Sequence, residues 1–304
     1  MSKPTITTTY AGESAKKYIS AALLEGTTLA NGGLTIMPNV KHKSVIQKVD
    51  VSNLIANATC DFTDAGTVAI SERIITLEEF QVNIKFCTKQ FVDSWEAAEL
   101  GASTFKDMPS SFGDYIIAHF ADQISASVEN SLWQGATGNA GEIDGFETLW
   151  TADANIVDVA APVGGVDATN VIAQLGAILD ASPNTVYGKD DLTLYVSRNI
   201  MKAYVRALAA QGGGYENRVN MWYDMNTPLS FDGVPLFLAN GLSDNTAALA
   251  QKSNLFMGTN LVSDMNEIRV IDTADTLGDQ NARFVARFSY GIQYGVPQEI
   301  VFFS

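Results

Sequence analysis

Residues 60–87 read CDFTDAGTVAISERIITLEEFQVNIKFC, and the last third of this stretch alternates between apolar and polar side chains. The alternation runs without a break through Phe80, Gln81, Val82, Asn83, Ile84, Lys85 and Phe86. A period of two residues is typical of a strand that has one face in the core and one in water. The stretch therefore predicts a β-strand, and it raises the question of what covers the apolar face.

A second strand is predicted upstream, where valines recur at 45, 49 and 51. Asp64 and Gly66 lie between the two strands and have the chemistry of a tight turn. Together these features predict one long hairpin over residues 45–86 with its tip near Asp64 and Gly66. That tip places Cys60 opposite Ala69 and not opposite Cys87. Because an isolated two-stranded hairpin is at best marginally stable in water, we expect it to pack against another surface.

The composition is poor in charge, and the charge is unevenly placed. Charged residues make up 17% of the 304 residues, against ~25% in typical globular proteins, and the net charge is −15. Residues 1–48 hold six lysines against two glutamates, a net of +4, which leaves −19 for the remainder. The acidic balance argues against a broad basic face for nucleic acid. The low charge suits a subunit with large interfaces, and it also suits a weakly charged soluble monomer.

The sequence predicts a protein that folds in a cytosol. Its first residues, MSKPTITTTYAGES, lack the apolar core of a signal peptide, and no run approaches the ~20 apolar residues that cross a membrane. Two cysteines do not make a disulfide framework. We expect two unpaired thiols, and a bond between subunits is the alternative.

A long helix is the clearest element after the hairpin. Ser110 and Ser111 give a start signal after Pro109, and Gly135 follows the last apolar position as a C-cap. Apolar side chains recur every four residues at Phe112, Ile116, Phe120, Ile124, Val128 and Leu132. The pattern predicts a helix over residues 111–134, about 35 Å long, with an apolar stripe that packs against a sheet. Shorter amphipathic helices are predicted over residues 12–25 and 88–98.

Helices and strands alternate after residue 168. Helices are predicted at residues 171–179 and 198–208, the second capped by Ser197. Asp232 and Gly233 predict a hairpin turn within residues 230–239. Further strands are predicted at residues 192–196, 254–258, 267–272 and within 282–303. This order predicts an α+β fold with two lobes and two projections.

No residue pattern indicates catalysis, a cofactor or a metal ion. His42 and His119 fall in no metal-binding spacing, and the glycines of residues 135–141 lack the preceding strand of a phosphate loop. Carboxylates recur at Glu78, Glu79, Asp190, Asp191, Asp272, Asp275 and Asp279, and we expect them on solvated faces. A basic arm, a long hairpin, a long helix and a weakly charged surface indicate assembly instead.

Taken in order, these elements resemble the major capsid protein of a tailed bacteriophage, of the Hong Kong phage type with its Johnson capsid fold. Residues 60–87 followed by TKQFVDSW (88–95) resemble the extended loop and the region after it. Three later stretches resemble the axial lobe of the family: LTLYVSRNIMKAYVRAL (192–208), PLSFDGVPLFLANGLSDN (228–245) and NLFMGTNLVSDMNEIRVID (254–272). RFVARFSYGIQYGVPQEIVFF (283–303) resembles the closing strands.

The resemblance implies a division of the chain. The expected regions are an N-terminal arm (1–45), an extended loop (46–84), a peripheral lobe (85–158) with a spine helix (111–134), an axial lobe (159–282) and closing strands (283–304). Assembly contacts are expected at Phe62, Asp64, Gly66 and Arg73 in the extended loop, and at Lys16, Lys17 and Tyr18 in the arm. The spine-helix core is expected at Phe112, Ile116, Phe120, Ile124 and Val128. The hairpin is then completed by an adjacent subunit.

The implied function is structural and not enzymatic. Hexamers and pentamers of the chain form an icosahedral head that encloses double-stranded DNA without sequence-specific binding, without a cofactor or metal and without a membrane. Scaffolding, portal and cement or decoration proteins are the expected partners. The virion is the expected location, after assembly in the cytoplasm of a bacterial host.

Two departures from the family pattern modify this expectation. Residues 49–84 contain no lysine, so we expect no isopeptide cross-link from this loop. The chain has no acidic helical prefix, so any scaffold is expected to be a separate protein. Three alternatives remain open: an encapsulin-type nanocompartment shell, a soluble acidic enzyme that uses its carboxylates, and a tail-tube or head-decoration protein, against which the long helix counts.

Overall fold

The structure of the protein is a computed structural model that describes residues 27–52, 66–87, 110–210, 229–260, 268–272 and 281–304, together with residues 55, 57, 58 and 60. Strands in these ranges form sheets of five, six and two strands. Helices pack on the two larger sheets. The predicted α+β fold class is confirmed. The helices predicted at residues 12–25 and 88–98 lie outside the described residues.

The five-stranded sheet is organised by one long strand. Its strands are Thr35–Met37 (β1), Glu78–Cys87 (β4), Leu255–Thr259 (β10), Ile268–Asp272 (β11) and Asn281–Tyr294 (β12). β12 pairs with β4, β10 and β11, all antiparallel, and β1 runs parallel to β10. With 14 residues, β12 is long enough to hold three neighbours along its length.

A helix of 25 residues, Ser110–Gln134 (α2), lies on this sheet after a four-residue helix at Thr27–Ala30 (α1). The ring of Phe120 lies 4.9 Å from that of Phe284 on β12. The predicted long helix is confirmed. Gly135 does follow it, but a close approach and not a left-handed backbone requires the glycine, because a Cβ there would lie 2.3 Å from the Ile143 carbonyl oxygen.

The six-stranded sheet forms the second half of the fold. In spatial order its strands are Val157–Val159 (β5), Val301–Phe303 (β13), Ala247–Gln251 (β9), Leu192–Val196 (β6), Val234–Leu238 (β8) and Ser230–Phe231 (β7). The helices Val171–Asp180 (α4) and Arg198–Ala210 (α5) pack against it through one apolar cluster. The turn between β7 and β8 is made by Asp232 and Gly233, both with positive φ, as predicted.

An aromatic cluster joins the two larger sheets. Trp133 of α2 lies 5.5 Å from Phe146 and 5.5 Å from Tyr195, which belongs to β6. Trp150, in the helix Phe146–Ala152 (α3), lies 5.4 Å from Phe302 of β13. These side chains belong to one buried cluster, so the core is continuous from one sheet to the other. Short 3-10 helices at Lys252–Asn254 and Pro297–Glu299 complete the connections.

Candidate assembly surface

A two-stranded hairpin extends from the five-stranded sheet. Its strands, Lys43–Ser52 (β2) and Thr67–Thr76 (β3), are antiparallel and pair from Lys43 with Thr76 to Ser52 with Thr67. Ten residues at about 3.3 Å each give a length of roughly 33 Å. All residues in 49–52 and 67–72 are exposed. The outer half of the hairpin therefore stands clear of the described residues of its own chain.

The observed pairing corrects the predicted hairpin. The strand predicted at residues 80–86 is confirmed as β4, but it pairs with β12 and not with β2. Asp50, and not Cys60, lies opposite Ala69, and the register centres the connecting segment on residues 59 and 60. Two successive strands, β3 and β4, are separated only by Leu77, and their alternating patterns merge in the sequence. The exposed Cys60 is a free thiol.

One face of the hairpin is apolar and exposed. Its cross-strand pairs are Val45 with Ile74, Gln47 with Glu72, Val49 with Ile70, and Val51 with Val68. The six aliphatic residues of this hairpin face are 46% to 65% exposed. Cross-strand aliphatic pairs stabilise the hairpin itself, but side chains of this size gain most from being covered. The hairpin face is thus an apolar stripe that the described part of the chain leaves in water.

The opposite face is buried only at the root of the hairpin. Ile75 is fully buried, and Ile46 packs against the same small cluster of Val40 and Leu77. This face is exposed as well beyond Arg73 on β3 and beyond Lys48 on β2. The hairpin is therefore held at its base, and its outer half has no covering in the described structure.

Arg73, expected to contact another subunit, lies against its own chain. It donates a hydrogen bond to Asp153 Oδ2, and its guanidinium carbon lies 4.2 Å from the centre of the Tyr294 ring. Tyr294 Oη donates to the same Oδ2 at 2.8 Å. Burial alone would raise the pKa of Asp153, but hydrogen bonds from Asn155, Arg73 and Tyr294 hold that pKa well below its usual range. Sequence reasoning missed Asp153 and Tyr294 because nothing local marks them as partners of Arg73.

The other predicted site residues are divided between described and undescribed parts of the chain. Gly66 is exposed with a φ of 100°, at the end of the segment that joins β2 to β3. Phe120 and Ile124 are half-buried against the core, and Val128 is buried in it. The backbones of Phe112 and Ile116 lie in α2, but their side chains lie outside the description. Phe62, Asp64, Lys16, Lys17 and Tyr18 lie outside the described residues.

Two of the described carboxylates, Asp191 and Glu147, hold loops in place. Asp191 accepts hydrogen bonds from Gln251 and Ser253, and burial, which would raise its pKa, is outweighed by these bonds, which lower it. Glu147 accepts from the backbone and hydroxyl of Ser243 at 2.7 and 2.6 Å. Within the described ranges, no group of His, Cys, Asp and Glu is placed to hold a metal ion. No helix there is long and apolar enough to span a membrane.

No protein-family model matches the chain, and no curated protein matches it in sequence. Solved structures do match. The capsid of a native GTA particle has a TM-score of 0.62 at 15% identity, over 93% of this chain and 89% of that one. The capsid of Myoviridae phage XM1 has a TM-score of 0.59 at 11% identity, over 91% of each chain. A virus-like particle from Pyrococcus furiosus has a TM-score of 0.53 at 11% identity, over 96% and 98%.

These similarities extend over 91–96% of the chain. At such low identity they establish the shared fold. The predicted resemblance is confirmed at that level: the chain has the capsid fold of these phage and virus-like particles.

Proposed function

We propose that the protein is the major capsid protein of a tailed bacteriophage. Copies of the chain assemble into hexamers and pentamers, and these close into the icosahedral head around double-stranded DNA. The observation that carries the proposal is the hairpin face, an apolar stripe of six aliphatic residues on a projection that the described residues of its own chain do not cover. The capsid fold supplies the second line of support.

The energetics favour a partner surface for the hairpin. Full burial of a Val or Ile stabilises by about 1.5–3 kcal/mol, so covering six half-exposed side chains contributes several kcal/mol for each contact. A subunit that touches several neighbours repeats this gain many times. Obligate interfaces bury on the order of 2,000–5,000 Å², which suffices without covalent cross-links. We therefore propose that burial, and not an isopeptide bond from residues 49–84, stabilises the shell.

The net charge of −15 fits a container for DNA. Packaged DNA must slide during filling, and a protein with a net negative charge repels phosphate. We propose that the enclosed DNA is held without sequence-specific contacts. We further propose a separate scaffolding protein, a portal and cement proteins as partners, and the virion as the location of the assembled protein.

We propose the regional roles in the same terms. Thr28, Leu29 and Leu34 are buried in their own chain, so we propose that the rest of the arm (1–45) wraps neighbouring subunits. The extended loop lies across the adjacent subunit. The peripheral lobe with its closing strands carries the long helix, and the axial lobe (159–282) surrounds the five-fold and six-fold axes. The two larger sheets do not follow these bounds: β10 and β11, within residues 159–282, belong to the five-stranded sheet, and β13 belongs to the six-stranded sheet. One aromatic core joins both sheets into one body from which the hairpin projects.

Electron microscopy and light scattering of the purified protein test the proposal. Closed shells, or rings of five and six, are expected for the wild type. Ile70→Asp places a charge on the hairpin face and is expected to abolish the shells. Ser71→Asp is the matched control: it places the same charge on the other neighbour of Ile70, which is also exposed but points to the other face, opposite Lys48. A wild-type protein that stays monomeric, even when it is mixed with candidate scaffold proteins, contradicts the capsid function.

An encapsulin-type shell is the second candidate, and the match to the virus-like particle from Pyrococcus furiosus favours it. The two functions differ in what the shell encloses. Nuclease treatment of purified native particles, followed by mass spectrometry of their content, separates them. Protected double-stranded DNA of genome length indicates the capsid, and a single enclosed enzyme carrying a short targeting peptide indicates the nanocompartment.

A further inference from the structure

The base of the hairpin crosses the five-stranded sheet at two paired glycines. Gly258 of β10 lies opposite Gly291 of β12 in the register. A Cβ at Gly291 would lie 2.1 Å from the carbonyl oxygen of Thr76, and a Cβ at Gly258 would lie 3.0 Å from Ile75. The two glycines, which we call the glycine notch, leave room for the hairpin backbone to lie directly on the sheet. The notch fixes the point at which the hairpin leaves the lobe.

Contact at the glycine notch alone does not fix the direction in which the hairpin projects from the lobe. Arg73 lies three residues beyond Thr76, about 10 Å along the strand. There it makes an ion pair with Asp153, and the two side chains are 28% and 15% exposed. Gln293 Nε2 also donates to the Ile74 carbonyl at 3.3 Å. The hairpin is thus fastened a second time, away from the notch, to residues of α3's C-terminal end and of β12.

Three groups with complementary shapes make this second fastening. The guanidinium of Arg73 stacks on the Tyr294 ring while it donates to Asp153, and Tyr294 donates to the same carboxylate oxygen. A planar cation that both stacks and donates is held in one orientation, unlike a lysine ammonium. The contact bridges 80 residues of sequence between the hairpin and the lobe.

We propose that Arg73, Asp153 and Tyr294 form a latch that sets the direction of the hairpin, and that these three are positioning residues for shell assembly. The inference rests on the proposed function and adds to it. The hairpin face determines that subunits bind, and the latch determines the angle at which each subunit reaches the next. Because curvature in a closed shell depends on that angle, the latch controls closure and size.

The latch is separable from the stability of the lobe. If Arg73 is removed, Asp153 keeps hydrogen bonds from the backbone and side chain of Asn155, at 3.0 and 2.8 Å, and the bond from Tyr294. No buried charge is left without a partner, which is the usual cause of a large loss of stability. Arg73→Ala is therefore expected to leave the lobe folded while it frees the hairpin to swing about the notch.

Pulsed electron paramagnetic resonance measures the direction directly. One spin label is attached to the exposed Cys60 and a second to Gln123→Cys, an exposed position on α2, in a Cys87→Ser background. Labelled chains are diluted in unlabelled chains so that only distances within one chain are read. Arg73→Ala, Asp153→Asn and Tyr294→Phe are compared with Lys48→Ala. Lys48 is the matched control because its ion pair with Asp50, at 2.7 Å, lies within the hairpin.

The expected result is a narrow distance distribution for the wild type and Lys48→Ala, and a broadened one for Arg73→Ala. Electron microscopy is expected to show open sheets or shells of mixed size for Arg73→Ala only. An unchanged distribution and unchanged shells in Arg73→Ala overturn the latch. If Arg73→Ala fails to fold, the distance distribution and the shells of Tyr294→Phe test the latch instead. Failure of the wild type to form shells contradicts the proposed function instead, and the distance measurement still tests the latch.

Discussion

The hairpin and the six-stranded sheet are built from the same kinds of residue and end in opposite environments. Every residue of β6 and β9 is buried. Every residue of the outer half of the hairpin is exposed, including Val49, Val68 and Ile70. The sheet finds its neighbours in its own chain, between β13 and β8 and under α4 and α5. Among the described residues, the outer half of the hairpin has no such neighbours, so its apolar face stays in water.

The largest loss of stability is expected from a substitution inside the six-stranded sheet. Leu249 of β9 is 1% exposed and lies opposite Leu194 and Val301. Leu249→Ala removes buried methyl groups and leaves a cavity, so the free energy of unfolding is expected to fall by about 2–5 kcal/mol. Denaturant unfolding of unassembled subunits measures it. A loss below about 1 kcal/mol would show that the sheet is no better packed than the hairpin.

The next-largest loss of stability is expected where the hairpin meets the five-stranded sheet. Gly291→Ala forces a methyl group against the Thr76 carbonyl oxygen, and overpacking of this kind costs about 1–3 kcal/mol. Gly176→Ala is the control: this glycine lies within α4 with open space around its Cβ position. Alanine there is expected to stabilise by up to about 1 kcal/mol, because it favours helix. Thermal unfolding of both variants checks the opposite signs.

A smaller effect is expected on the hairpin face. Val49→Thr keeps the shape and strand preference of the side chain but adds a hydroxyl. Because Val49 is 59% exposed in the subunit, the free energy of unfolding is expected to change by no more than about 0.5 kcal/mol. Each subunit contact is expected to lose roughly 1 kcal/mol, which raises the protein concentration needed for assembly. Light scattering across a dilution series measures this, and an unchanged threshold would remove Val49 from the interface.

The smallest effect is expected from pH near neutrality. The pKa of Asp153 is lowered from 3.8, so its stabilising contribution is present above pH 3.8 and is lost as the pH falls below it. Burial, with the hydrogen bond to Asp153, raises the pKa of Tyr294 from 10.0 to about 12, so its contribution is full below pH 10 and is lost as the pH rises towards 12.

The stability difference between the wild type and Arg73→Ala is therefore expected to stay constant between about pH 5 and 9. Denaturant unfolding at a series of pH values measures this difference. A transition near pH 7 would place another titrating group at the latch.

Much of the secondary structure of the hairpin and of the sheets could be predicted from the sequence, because periodicity marks which face of an element is apolar. The strand at residues 80–86, the long helix and the turn at Asp232 all follow from local patterns. What covers an apolar face is not local. β4 was predicted to pair within the hairpin, yet its partner is β12, about 200 residues away.

The missed elements have equally physical causes. β9 reads AALAQ, and alanine has little preference for strands, so only its position between two other strands makes it one. α3 and the three-residue strands β1 and β5 are too short to show a period. The latch joins residues 73, 153 and 294, and no spacing in the sequence connects them.

The aromatic core has a consequence for how the protein can be observed. Trp133 and Trp150 are buried at 0% and 2% exposure, and Trp150 Nε1 has no hydrogen-bond partner among the described residues. Residues 43–76 contain no tryptophan or tyrosine. In a variant in which the other two tryptophans, Trp95 and Trp222, are replaced by phenylalanine, emission from Trp133 and Trp150 should therefore shift to the red when the lobes unfold and stay constant when hairpins dock. Fluorescence and scattering thus follow two different events in one sample, and the folding and assembly of each subunit can be timed separately.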